Sequence, residues 1–244
     1  MDASNKPEDL DGPRMGTLGP ERAAAVRGIW SGALGHTVRC VPARRTVAVA
    51  ATGGAWLFGK WHVGCYRTAA AEWRWLHVLP LLGMRTAEPL VWLGSRRRNL
   101  LVTAGVPGRA LDVWAVEAQR TGRLDEIVGY ACREVAPAIR RLHDHGLVVR
   151  DLYWNHLFCE DPGAAQAPIL LDVARVLRPR WLWRRWVVKD LASLWASVPF
   201  PLPASCALRF LRGYLGEPLF LHARMIRAIA AKAARIRAHV PRFG

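Results

Sequence analysis

The prevailing spacing of the apolar residues changes in the middle of this chain. Before Val106 they fall mostly in short runs rich in β-branched residues and punctuated by turn residues, and from Leu124 onward they mostly recur every three or four positions. Runs of the first kind suit strands, whose side chains alternate between two faces; recurrence of the second kind suits helices. The expected fold class is therefore α+β, a β-rich first half followed by a helical second half. "TVRCV", "TVAVA" and "AWLFGKW" read as a three-stranded meander ending near Lys60, with Thr52–Gly54 ("TGG") as a hairpin turn, because glycine accepts the positive φ such turns need. "RTAAAEWRWLHVLPLLG" reads as a helix on which Glu72, Leu76 and Leu79 share a face and which Pro80 and Gly83 stop. "AEPLVWLG" and "NLLVTAGV" read as two further strands joined by the basic turn "SRRR".

In the second half Ile127, Ala131, Val135, Ile139 and Leu142 keep helical spacing up to His145 and Gly146, although Pro137 inside the run predicts a kink. A loop, "VVRDLYWNHLF", follows. "PILLDVARVL" reads as a short buried strand ending in Asp172, and "VVKDLASLWASV" and "SCALRFLRGYLG" as helices. In a last helix over residues 222–240, Ile226, Ile229, Ala233, Ile236 and Val240 lie on one face and Arg224, Arg227 and Arg235 opposite. Residues 1–20, rich in Asp, Pro and Gly, read as a disordered tail, 21–108 as the β-rich lobe and 109–244 as the helical lobe, with a cleft expected between the lobes.

A chain of 244 residues, 52% of them hydrophobic, is long enough for one large domain or two small lobes with a sizeable core. Its 35 Lys and Arg against 19 Asp and Glu, a formal charge of +16, point to an anionic partner: nucleic acid, an anionic membrane surface or a phosphate-bearing substrate. The five cysteines form no C-x-x-C pair and fit a reducing cytosol better than a disulfide framework. The polar, acidic start has no apolar run of the kind a signal peptide needs, and no apolar window reaches membrane length, so any meeting with a membrane is expected to be along its surface.

The ionisable residues fall in a telling order: Lys60 on a strand, Glu72 on a helix, Asp151 in a loop after a long helix, Asp172 after a strand. In protein-kinase-like phosphotransferases a strand Lys holds the nucleotide's phosphates, a helix Glu fixes that Lys, a loop Asp accepts the proton of the acceptor hydroxyl and a later Asp holds Mg²⁺. Taken singly, each has a plainer reading. Lys60 and Glu72 suit a solvated surface and Asp151 a structural ion pair with its neighbouring Arg. Asp172 is less easily dismissed, since a carboxylate at the end of a buried strand needs a partner.

The chain resembles the lipopolysaccharide kinase family (Kdo/WaaP type), bacterial sugar kinases with a bilobal, protein-kinase-like fold. The resemblance rests on "ARRTVAVAATGGAWLFGKWH", "AEWRWLHVLPLLGMRTAEPLVWLG", "LLVTAGV", "LHDHGLVVRDLYWNHLF", "ILLDVARV", "RRWVVKDLASL" and "LRFLRGYLG", in family order over roughly residues 37–217. It implies that Asp151 is the catalytic base, that Lys60 and Glu72 serve the nucleotide, that Asp172 carries Mg²⁺ and that Asp190 anchors the catalytic loop. His156 stands where protein kinases keep a second metal-binding Asn, which leaves it a metal ligand or a brace of the loop; Tyr153 stands where they keep a phosphate-facing Lys. The chain departs from the protein-kinase pattern in Val149 before Arg-Asp, in "DVA" for Asp-Phe-Gly, and in "VPARR" (Val41–Arg45), which takes the phosphate-loop place without its glycines. Gly59 beside Lys60 hints at a close approach of another segment.

The resemblance further implies ATP and Mg²⁺ as cofactors, a heptose or Kdo hydroxyl of a lipopolysaccharide precursor as acceptor, and a peripheral cytoplasmic location on the inner face of the inner membrane. "RPRWLWRRW" (Arg178–Trp186) sets three tryptophans among four arginines, which suits an anionic membrane surface or, equally, a packed Trp cluster with a solvated Arg face. Arg with aromatics also serves nucleic-acid binding, but no recognised module accompanies it, and no nucleic-acid partner is expected. Two alternatives stay open: a related kinase acting on a protein or another glycolipid, and a catalytically weak kinase-like protein that binds anionic membranes.

Overall fold

The computed structural model describes residues 18–50, 56–216 and 218–238. The chain divides into two compact units: residues up to Leu79 together with Thr86–Val106, and Pro80–Arg85 together with residues from Pro107 on.

In the first unit α1 (Pro20–Ser31) precedes β1 (His36–Val41), β2 (Arg44–Ala50), β3 (Trp56–Val63), α2 (Tyr66–Leu81), β4 (Arg85–Thr86, where the chain passes between the units), β5 (Pro89–Gly94) and β6 (Arg98–Ala104). The strands form an antiparallel sheet of order β1-β2-β3-β6-β5. From β1 onward this is the expected order of three strands, a helix and two strands, with the two-residue β4 added. The expected disordered tail lies outside the described residues up to residue 17, and α1 already begins at Pro20. The expected turn at Thr52–Gly54 and the position of Val240 also lie outside the described residues.

Helix α1 was not among the expected elements, although Pro20 at its first turn and Gly32 at its left-handed C-cap (φ 76°) mark both ends. Its Val26 and Ile29 are buried with Val47, Leu57, Trp61, Leu93 and Leu100 in the core of this unit. Gly59 makes the seat: a Cβ there would stand 2.9 Å from Ile29 and 3.0 Å from Leu100. β1 and β2 meet in a tight turn at Pro42 and Ala43, where Ala43 takes φ 61° without a glycine.

In the second unit β7 (Arg109–Ala110), α3 (Leu111–Arg120), α4 (Leu124–Tyr130), α5 (Ala136–Asp144), β8 (Leu157–Cys159), β9 (Ile169–Leu170), α6 (Trp183–Ala196), α7 (Ala204–Leu215) and α8 (Ala223–Ala238) follow in order. β7, β8 and β9 pair antiparallel. Between α4 and α5 the backbone opens into a π turn, Ala131–Val135, whose closing Ala136 N–H reaches back to the Ala131 carbonyl. Two facts of the sequence meet there. Pro137 has no N–H and its ring crowds the carbonyl four residues back, which the wider turn relieves. The apolar residues Ile127, Ala131, Val135 and Ile139 recur every four positions, which drifts around an α-helix, and the extra residue in the turn restores them to one buried face. On α8 Ile229 and Ala233 are buried and Arg224, Arg227 and Arg235 exposed, as the periodicity predicts. α8 packs on α6, and Arg237 caps it by donating to the carbonyls of Trp195 (2.8 Å) and Ala196 (3.4 Å).

Candidate active site

The predicted site residues fall into two groups, one in each unit. In the first, the alternation of β3 places Leu57, Gly59 and Trp61 under α1 and Lys60 on the opposite face of the sheet. Lys60 does not end the strand, as its sequence suggested. β3 runs on to Val63, because Trp61, His62 and Val63 keep pairing with Leu100, Asn99 and Arg98. The Lys60 ammonium donates to Glu72 Oε1. Glu72 is 2% exposed and shares the buried face of α2 with Leu76 and Leu79. A carboxylate so deep is tolerated because a cation neutralises it, so the pair fixes Lys60 in one place.

The second group hangs on one carboxylate. Asp190 on α6 is fully buried and accepts the backbone N–H of Val149 (2.6 Å) and of Arg150 (2.9 Å). His143 completes the anchor: its Nδ1 meets the Tyr214 hydroxyl at 2.7 Å and its Nε2 faces Asp190 at 3.5 Å. Burial holds the Tyr214 phenol well above its usual range, so the hydroxyl donates and the imidazole Nε2–H turns to the carboxylate. Arg150 sits at φ 70°, a left-handed conformation disfavoured for a residue with a side chain. Lys189 donates to the Arg150 carbonyl, and the Arg150 guanidinium lies over the Trp186 ring at 5.3 Å. Burial, the largest influence, pulls the Lys189 ammonium below its ordinary pKa. The strained turn aims the next residue, Asp151, and the chain is pinned again where Trp154 N–H meets Ser197 Oγ at 3.0 Å.

His156 Nδ1 lies 2.9 Å from the Asp151 carbonyl oxygen. A carbonyl only accepts, so Nδ1 carries the proton and, in the neutral ring, Nε2 keeps a lone pair. The imidazole therefore braces the loop, and its other nitrogen has the chemistry of a ligand. Asp172 takes φ 52° and opens a 3₁₀ turn, Val173–Arg175. It lies two residues beyond β9, not at the strand end its sequence suggested, because pairing stops at Leu170. Tyr153 is a neutral phenol, its pKa raised first by burial and then by Asp151. Among the described residues no three His, Cys, Asp or Glu side chains gather into a metal cluster. Mg²⁺ does not require one, since one or two carboxylates and the phosphates it serves commonly hold it.

Sequence reasoning missed Arg175, whose Nη1 donates to both oxygens of Asp151, at 2.8 and 2.9 Å. It also missed Lys189 and His143. Lys189 adjoins the recognised Asp190, a signal that was available; the pairing of Arg175 with Asp151 spans 24 residues and left none.

A strand lysine held by a buried glutamate, and a loop aspartate hung from a helix carboxylate, match parts of the protein-kinase pattern. The family model described as "Lipopolysaccharide kinase (Kdo/WaaP) family" matches residues 60–214, more than half of the chain. The chain belongs to that family. Its members being kinases of the lipopolysaccharide core, this is a phosphotransferase acting on an alcohol group. Among solved structures, one described as WaaP in complex with acyl carrier protein is 26% identical and covers 83% of this chain and 89% of that one, with a TM-score of 0.67. An aminoglycoside-3'-phosphotransferase of type VIII, 19% identical over 88% of this chain and 100% of that one, shares the fold at a TM-score of 0.58. No curated protein matches the chain in sequence. The expected α+β, kinase-like fold is thus the observed one.

Proposed function

We propose that this protein transfers the γ-phosphoryl group of ATP to a heptose or Kdo hydroxyl of the lipopolysaccharide inner core. The observation that carries the reading is the Lys60–Glu72 ion pair, formed inside a chain of this kinase family. Lys60 would bind the nucleotide's phosphates, its ammonium kept in place by Glu72. Asp151 would orient the sugar hydroxyl and take its proton as the oxygen attacks phosphorus and the bond to ADP breaks. Asp172 supplies the hard oxygen donor that Mg²⁺ prefers, and His156 Nε2 is a poorer match whose main contribution is the brace on the loop. Mg²⁺, when bound, would neutralise charge on the phosphates.

The location we propose is the cytoplasmic face of the inner membrane. Trp181 is 81% exposed and Leu182 64%, set among the exposed Arg178, Arg180, Arg184 and Arg185. This favours contact with anionic headgroups over a wholly packed Trp cluster, although Trp186 is half-buried beneath Arg150. Among the described residues no helix is long and apolar enough to cross a membrane. An acyl carrier protein is a second proposed partner. The solved WaaP complex contains one, and here an apolar cavity of about 190 Å³ between α4, α6, α7 and α8 is lined by Trp154, Leu194, Leu208 and Ile226.

Two substitutions test the assignment. Asp151→Asn should keep Mg-ATP affinity near wild type while turnover falls roughly 10²–10⁴-fold. Asp172→Asn should lose metal-dependent nucleotide binding together with turnover. Calorimetric titration of Mg-ATP beside a phosphotransfer assay compares them; the opposite pattern would exchange the two roles, and unimpaired turnover in both would end the proposal.

A further inference from the structure

Asp151 is only 16% exposed at its side chain, and the group that covers it is the half-exposed guanidinium of Arg175. One nitrogen, Nη1, donates to both carboxylate oxygens. That contact leaves two things over. An ionised carboxylate has about four lone-pair positions, so two remain for an acceptor hydroxyl. A guanidinium has five N–H groups, and Nε and Nη2, the parallel pair that grips planar or tetrahedral oxyanions, make no hydrogen bond to a described residue. Arg175 is itself seated firmly: Val173 and Ala174 of its 3₁₀ turn are buried. The turn starts at Asp172, so one rigid turn joins the proposed metal residue to the residue that holds the proposed base. Two further cations lie in this cluster: Arg150 and Arg175 both act on the Lys189 ammonium, behind the larger upward pulls of Asp190 and Asp151.

We propose that Arg175 is a positioning residue for Asp151 and, through Nε and Nη2, the residue that selects an acceptor carrying an oxyanion beside the hydroxyl to be phosphorylated. This rests on the reading of Asp151 as the base. The geometry gives one guanidinium two duties at once: it holds the carboxylate's plane and ties the substrate's charge to it. An acceptor without the anion would bind with its hydroxyl unregistered against Asp151. The oxyanion is a carboxylate or a phosphate group of the inner core.

The test measures phosphotransfer from ATP by the full-length protein to three acceptors: an intact inner-core acceptor, the same acceptor with its carboxyl groups methyl-esterified, and the same acceptor after dephosphorylation. Wild type should lose about 10- to 100-fold in kcat/KM in one modified arm, which names the source of the oxyanion, a size expected for charged hydrogen bonds. Arg175→Ala should lose a similar factor on the intact acceptor, mostly in kcat and in the acceptor's KM, and be indifferent to both modifications. Its KM for ATP should stay within about twofold of wild type, as a residue acting on the acceptor side requires. Added guanidinium ion should restore part of its rate, and Arg175→Lys should fall between, because an ammonium keeps the charge without the fork. Thermal melting checks that the variants fold, and the Lys variant serves if the Ala variant does not. The inference is overturned if Arg175→Ala matches wild type, if it still discriminates among the acceptors, or if neither modification affects wild type. Wild-type turnover by Asp151→Asn would instead remove the base reading on which the inference stands, and absence of transfer to any of the three acceptors would remove both.

Discussion

Replacing Asp190 with Asn swaps an acceptor-only carboxylate for an amide of nearly the same shape. In the native structure the carboxylate accepts two backbone N–H groups, from Val149 and Arg150, and faces the His143 Nε2–H, all where water does not reach. The amide has one accepting oxygen. One N–H keeps its partner, and the other meets an NH₂, so a buried donor is left unmet and two donors oppose each other. A buried unsatisfied donor costs about 1–3 kcal/mol, with charge-assisted bonds at the upper end. Arg150 offsets part of this, since its left-handed backbone costs about 1–2 kcal/mol, is retained only while Asp190 and Lys189 hold both sides of it, and relaxes when one hold is lost. A net loss of about 2 kcal/mol corresponds to a fall in melting temperature of roughly 4–8 °C for a protein of this size. Turnover should fall further than stability explains. A relaxed Arg150 shifts Asp151, and a misplacement of about 1 Å can cost on the order of 10²-fold in rate. Melting followed by circular dichroism, beside phosphotransfer well below the melting point, gives both numbers. A melting temperature within about 1 °C of wild type would refute the account of the anchor, and unchanged turnover would refute its link to the catalytic loop.

Lys60→Ala should abolish transfer and also destabilise the protein by about 3 kcal/mol, because it leaves Glu72 charged and buried without its cation; adding Glu72→Leu should recover stability in chemical denaturation without recovering transfer. Neutralising Arg180, Arg184 and Arg185 together should weaken sedimentation with anionic vesicles and flatten its salt dependence, at about 1 kcal/mol for each charge, and unchanged binding would favour the packed-cluster role. Burial pushes the Cys159 thiol up to about 11, so at pH 8 only about one part in a thousand is thiolate. Alkylation followed by mass spectrometry should label the exposed Cys40 first and Cys159 only on unfolding; early labelling of Cys159 would contradict its burial.

Much of the candidate site was legible because its parts are local. Lys60 and Glu72 are separated by a single strand end and about two helical turns, and each is flanked by its own periodic pattern. The loop from Val149 to His156 carries its polar residues between two apolar stretches, and Asp190 follows a recognisable helical phrase. Periodicity also placed the core faces of α2 and α8, since a face that must be buried imposes its spacing on the residues. Boundaries were less legible. β3 runs past Lys60 because its partner strand β6 continues to offer hydrogen bonds, a fact held in β6 and not in β3. The kink expected at Pro137 became a π turn, since the backbone can widen before a proline when the faces on either side are already committed to burial.

What the sequence determined alone was the class of fold, the order of most elements and the set of candidate charged residues, all of which follow from short-range spacing. What only the tertiary structure decided was pairing at a distance. Arg175 meets Asp151, Asp190 meets the amides of Val149 and Arg150, and Ile29 of an unforeseen helix meets Gly59. None of these contacts repeats with a period, and each depends on where the chain returns after a loop. The glycine beside the lysine signalled that something approaches, and only the packed core shows that it is α1. Spacing can reveal which face of an element is buried, but the partner that covers it is chosen by the free energy of the whole assembled core.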